Sequence, residues 1–112
     1  MKTIQTKFRL FSVLLGALAL GTLTVWAATV CVINQKGKQF SQTDVTVKVG
    51  DTLQFVNDDD VAHNVFCADP GLTVNKFAKP GDKTEIVTSQ AGTYEVRCAI
   101  HPQMKITVHV TP

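Results

Sequence analysis

Enzyme motifs, helical periodicity and a large net charge are all missing from this chain of 112 residues. There is no Gly-x-Ser-x-Gly elbow and no glycine-rich phosphate loop, which removes the common serine-hydrolase and nucleotide-binding readings. Beyond residue 27 no segment carries a useful 3.6-residue apolar stripe, so a helical bundle and an α/β fold are both excluded. No internal repeat, low-complexity tract or linker divides the chain. Methionine is scarce, with Met1 and Met104 alone, and cysteine is odd in number at three.

The net charge of the whole chain is only +2. Of its 11 lysines and arginines, three (Lys2, Lys7 and Arg9) precede residue 28, and none of its nine acids does. The remaining eight cations face nine acids, a net charge of −1 for residues 28–112. That balance gives no basis for nucleic-acid binding. The first 27 residues read as an export signal: a basic n-region, the mostly apolar run Leu10 to Trp26, and Val25-Trp26-Ala27 as a small-residue cleavage site. No basic stop-transfer flank follows Ala28, which favours removal over a retained anchor. The expected organisation is therefore residues 1–27 as a cleaved signal peptide and 28–112 as one small domain. A core of about 85 residues is only marginally stabilised by burial, so a metal or a disulfide would help it.

What is present is short period-two segments between turn residues. Ala28 to Ile33 is β-branched and meets Asn34-Gln35-Lys36-Gly37. Asp44 to Val49 alternates and stops at Gly50-Asp51, and Thr52 to Val56 alternates up to Asn57-Asp58-Asp59-Asp60. Lys83 to Ser89 and Thr93 to Cys98 flank Gln90-Ala91-Gly92, and Lys105 to Thr111 follows. Ala68 to Asp82, punctuated by Pro70-Gly71 and Pro80-Gly81, reads as a long loop. This pattern predicts an all-β sandwich or barrel. Alternation puts Tyr94, Val96 and Cys98 on the core-facing side of one strand, and His109 on the polar face of the last. His109 is therefore expected to be a solvated surface histidine.

The segment Cys98-Ala99-Ile100-His101-Pro102-Gln103-Met104 places a thiolate, an imidazole and a thioether in seven residues, between two predicted strands. A second imidazole, His63, follows the Asn57–Asp60 turn. One Cys, two His and a weakly held Met form the ligand set of a blue-copper electron-transfer site. Each residue alone is weak; a buried cysteine or methionine is usually core filler. The spacing is the signal, and the sole methionine after residue 27 falls three residues beyond His101.

His63-Asn64-Val65-Phe66 with Cys98-x-x-His101-Pro102-x-Met104 resembles the cupredoxins, the plastocyanin- and azurin-type blue copper proteins, and its short ligand loop is most similar to that of amicyanin. Val49-Gly50-Asp51-Thr52 extends the resemblance. It implies an eight-stranded Greek-key β-sandwich holding one copper ion (Cu+/Cu2+) at one end. His63, Cys98 and His101 would form the trigonal set and Met104 the axial contact, with Asn64 steadying the Cys98 loop. It further implies a non-enzymatic, periplasmic, monomeric one-electron carrier that stays off the membrane once its signal is removed. His101 would be the exposed ligand, ringed by Val61, Ala62, Pro70, Ile100 and Pro102, where transient redox partners dock. By analogy of fold, those partners are an oxidoreductase donor and a c-type cytochrome acceptor. A copper carrier or chaperone using the same ligands is the competing reading.

With Cys98 on copper, Cys31 and Cys67 remain as an even pair in an oxidising compartment. The plastocyanin and amicyanin pattern lacks both. In this fold the first strand is expected beside the His63 strand, so a Cys31–Cys67 disulfide is expected, worth roughly 3–4 kcal/mol if unstrained. A structural zinc held by His63, Cys67, Cys98 and His101 is the other use of these side chains. An extended chain separates the α-carbons of residues 63 and 67 by roughly 13 Å, which weighs against it, and zinc leaves Met104 without a role. A Cys98/His101 nucleophile pair likewise says nothing about Met104. Asp58-Asp59-Asp60 is expected to be a solvated turn rather than a cation site or a steering patch for a basic partner.

Overall fold

Period-two alternation becomes nine strands in the computed structural model, which describes residues 16, 17, 19–22 and 27–112. The expected export segment, residues 1–27, lies almost wholly outside the described residues. The strands are β1 Val30–Lys36, β2 Gln39–Phe40, β3 Asp44–Lys48, β4 Thr52–Asn57, β5 His63–Cys67, β6 Val74–Ala78, β7 Lys83–Val87, β8 Gly92–Arg97 and β9 Lys105–Thr111. Among the described residues there is no helix.

Two mixed sheets stack, one in the order β2-β1-β4-β7 and the other β3-β9-β8-β5-β6. The chain crosses repeatedly between them, and β1–β4 and β3–β9 pair in parallel while the other pairs are antiparallel. Inward positions of both sheets meet in one core. Ile33, Leu53, Phe55, Val65, Val96, Ile106 and Val108 are each at most 1% exposed. Burial of each such side chain stabilises by about 1.5–3 kcal/mol.

At the β3–β4 corner Gly50 has φ 95°, a left-handed conformation that favours glycine. The Asp51 carboxylate there accepts from Thr29 N at 2.9 Å and Lys48 N at 2.8 Å. These two backbone donors hold its carboxyl below the usual carboxylate range.

Three expectations need correcting. The stretch 68–82 is not all loop, because β6 pairs with β5 from His63↔Ala78 to Cys67↔Val74. It is an edge strand whose middle residues Asn75, Lys76 and Phe77 are all exposed, so it has no alternation to read. β1 runs past Ile33 to Lys36, because Gln35 turns inward and is fully buried. The reversal is made instead by Gly37 and Lys38, at φ 62° and 56°. Two successive left-handed residues are the signature of the hairpin turn whose twist matches its strands.

The third correction concerns the cysteines. β1 does not lie beside the His63 strand; it sits in the other sheet, between β2 and β4, with Cys31 opposite Leu53. Cys67 is buried in the core of the opposing sheet, and the thiols of Cys31 and Cys67 are both free, so the expected disulfide is not formed.

Candidate metal centre

The end of the sandwich where β4 leads into β5 and β8 into β9 gathers the four sequence-predicted ligand residues. His63 opens β5, Cys98 follows the last residue of β8, and Met104 precedes β9. The connection between Cys98 and Met104 is closed on itself: Cys98 N donates to Met104 O at 3.1 Å and Met104 N to His101 O at 2.9 Å. His63 and Cys98 are fully buried, Met104 is 1% exposed, and His101 is half-buried.

The donors converge. His63 Nδ1 and His101 Nδ1 lie 3.1 Å apart, and Cys98 Sγ is 3.9 Å from the first and 3.7 Å from the second. Two ring nitrogens and a sulfur so placed share one point in space. An ion at about 2.0 Å from nitrogen and about 2.3 Å from sulfur holds its donors roughly 3–4 Å apart, so the residues fit a single metal. The soft thiolate, the two imidazoles and a buried thioether next to the loop suit copper. Cys67 does not join them; it lies at the far end of β5 within the hydrophobic core, so the four-residue zinc set is not assembled.

Asn64 ties the two ligand segments together. Its N–H donates to Cys98 Sγ at 3.4 Å, and its Oδ1 accepts from Ala99 N at 2.5 Å. Asn64 thus reaches the segment that begins at Cys98 with both its backbone and its side chain.

The triple aspartate is only in part the solvated turn that was expected. Asp58 and Asp60 are exposed, but Asp59 turns inward, its side chain 11% exposed, with Oδ2 at 2.9 Å from His63 Nε2. The same carboxylate accepts from Lys38 N at 2.9 Å. The Lys38 amide, and then the His63 ring, hold its carboxyl well below the usual carboxylate range. His63 therefore presents Nδ1 to the metal point and Nε2 to a carboxylate, the arrangement that fixes a ligand ring's orientation. The readable signal was an acid four residues before a ligand histidine. Asn57 locks this turn, donating from Nδ2 to Val61 O and Ala78 O at 3.0 Å each and accepting from Asp59 N.

Of the expected ring around His101, Ile100 is 48% exposed, Pro102 is exposed, and Val61 and Ala62 are half-buried beside His63. Pro70 does not belong to it. It follows the distal end of β5, in the turn where Gly71 packs on Tyr94, whose hydroxyl donates to Gln90 O before β8 begins. His109 is half-buried near Thr93 on the outer face of β9, away from the site, in keeping with a surface role.

The cupredoxin-like domain family matches residues 10–110 of the chain. A search of the curated proteins found no match. Among solved structures, a Cu(I) form of an amicyanin variant with methionine replaced by alanine aligns with TM-score 0.66 at 26% identity, covering 70% of this chain and 79% of that one. A reduced amicyanin with proline replaced by phenylalanine aligns with TM-score 0.65 at 28% identity over 70% and 79%. A purple cupredoxin from Nitrosopumilus maritimus aligns with TM-score 0.62 at 26% identity, over 76% of this chain and all of that one. Sequence motif, two-sheet topology and converging donors agree with these likenesses: the chain belongs to the cupredoxin-like family, and His63, Cys98, His101 and Met104 form its candidate copper site.

Proposed function

We propose that this protein is an exported, monomeric one-electron carrier of the periplasm, with His63, Cys98 and His101 as its copper ligands and Met104 as a weak axial contact. The observation that carries the reading is the convergence of His63 Nδ1, His101 Nδ1 and Cys98 Sγ within 4 Å of one another. Copper held there supplies a one-electron couple between Cu+ and Cu2+. The protein's part is to keep the donors in place in both states. Asn64 and Ala99 fix the Cys98 thiolate, Asp59 fixes the His63 ring, and the backbone bonds of residues 98–104 close the loop.

The difference in burial between the two histidines supports different roles for them. His63 is fully buried with its Nε2 held by Asp59, whereas His101 is half-buried and flanked by exposed Ile100 and Pro102. We infer that a partner docks over the His101 edge, on Ile100, Pro102, Val61 and Ala62, through a small transient contact. The donor class is an oxidoreductase and the acceptor class a c-type cytochrome.

The test is the visible spectrum after adding Cu(II), then ascorbate, then oxidant. An intense blue band that bleaches and returns, and is absent in Cys98→Ser, supports the carrier. Folded protein with Cys98 reduced and no such band would overturn it. Rapid loss of copper to a chelator during redox cycling would favour a copper-delivery role with the same ligands.

A further inference from the structure

Gln35 is a buried polar side chain for which the ligand set gives no reason. It is fully buried, on the inward face of β1 in line with Ile33 and Cys31. Its Nε2 donates to Asn64 O at 3.2 Å, and no donor among the described residues reaches its Oε1. The amide orientation is fixed by that carbonyl, since the reverse would set two acceptors against each other. A buried acceptor without a donor is a standing cost, comparable to a lost hydrogen bond. An apolar side chain, as at the inward positions Ile33 and Cys31, would avoid it. Core stability therefore does not explain the glutamine.

Its one side-chain contact does. Asn64 is the residue whose N–H meets Cys98 Sγ and whose Oδ1 holds Ala99 N. Gln35 grips the carbonyl on the other side of the same residue, so the peptide groups before and after Asn64 are both held by distant parts of the chain. The main chain of Gln35 acts at the site as well, its carbonyl accepting from Asp58 N at 2.9 Å at the start of the turn that carries Asp59. We propose that Gln35 is a positioning residue of the metal centre: by holding Asn64 O it sets the Asn64 N–H on the Cys98 sulfur, and so tunes the reduction potential from the opposite sheet. Hydrogen bonding at the cysteine sulfur is one of the controls on the potential of such sites. An N–H aimed at the sulfur favours the more electron-rich, reduced state, so loosening it lowers the potential.

The effect on potential rests on the copper-carrier reading; the effect on Asn64 does not. Gln35→Met and Gln35→Leu remove the amide while filling the space. In the metal-free protein, both variants are expected to melt no lower than the parent, while exchange of the Asn64 amide proton, followed by NMR, speeds up about ten-fold. In the copper-loaded protein, the ratio of reduced to oxidised protein at a fixed applied potential is expected to fall, by up to about ten-fold, equivalent to about 59 mV for one electron. Unchanged Asn64 exchange, or failure of both variants to fold, would overturn the proposal. Faster exchange with no blue band in any protein would leave Gln35 in its positioning role and reject the copper carrier instead.

Discussion

Replacing Asn64 by alanine separates what its side chain does for the fold from what it does for the metal. The substitution removes the acceptor of the Ala99 N–H, a bond of 2.5 Å joining residues 35 apart, and a weak 3.4 Å contact to Asn75. The backbone bond from Asn64 N to Cys98 Sγ remains possible. Ala99 is itself exposed, so water takes up part of the loss. The cost to the metal-free domain is then near the low end for an orphaned donor, about 1 kcal/mol. For a domain of this size that lowers the melting temperature by about 4–8 °C. The metal should feel more than this. The ligand loop is otherwise held by the Asn64 N–H on Cys98 Sγ and by its own backbone bonds, and losing a partner that orients ligands typically costs about 10–100-fold in affinity. That is roughly 1.4–2.8 kcal/mol at about 1.4 kcal/mol per decade. Asn64→Asp keeps an acceptor for Ala99 and should restore the apo melting temperature, while its charge beside the thiolate lowers the potential. The assays are thermal melting followed by circular dichroism, and copper competition followed by the blue band. Equal losses of apo stability and copper affinity would refute the reasoning, because the bond would then serve the fold rather than the site.

Three further substitutions probe other contacts. Met104→Leu should retain copper and raise the potential, since on the proposed role a weak axial donor is lost; voltammetry showing a fall would contradict that role. Asp59→Asn should raise the potential by weakening the push on His63 Nε2. It should also flatten the acid limb of stability: the Asp59 carboxyl is held below its unfolded value, so its contribution is present above about pH 4 and fades as pH falls. Melting curves between pH 2 and pH 5 that are parallel in the two proteins would count against this. Gly71→Ala would drive a Cβ into the Tyr94 hydroxyl and to 2.8 Å from its ring, costing about 1–3 kcal/mol in urea unfolding, with the potential unmoved because the turn lies at the other end of β5.

The sequence was most legible where chemistry is concentrated. Cys98, His101 and Met104 fall within one loop, and each is of a type that seldom clusters without a metal, so spacing alone brought them together. His63 was legible through its motif, and the strands were legible where one face is buried and the other wet. What was lost depends on partners far along the chain. β6 lies on an edge with its middle residues in water, so nothing in its composition alternates. Cys31 has the same look whether its strand joins one sheet or the other, and only the parallel pairing of β1 with β4 separates it from the His63 strand. Asp59 was hidden between two exposed aspartates, since composition cannot show which of three equal acids turns inward. Gln35 was read as a turn residue because a polar side chain within Asn-Gln-Lys-Gly is ordinarily one.

The separation of the ligands along the chain also bears on how the domain is made. The C-terminal loop carries one thiol, one imidazole and one thioether within seven residues, so an unfolded chain already offers a partial grip on a soft ion. His63 arrives from 35 residues away, and only when β5 has found β8 through the pairing of Phe66 with Arg97. That closure is non-local and entropically slow. The complete donor set is thus absent until the long-range topology is in place, and the metal then binds the folded chain far better than the unfolded one, stabilising the closure that created its site. Copper affinity in this protein is a direct reporter of whether its two halves have met.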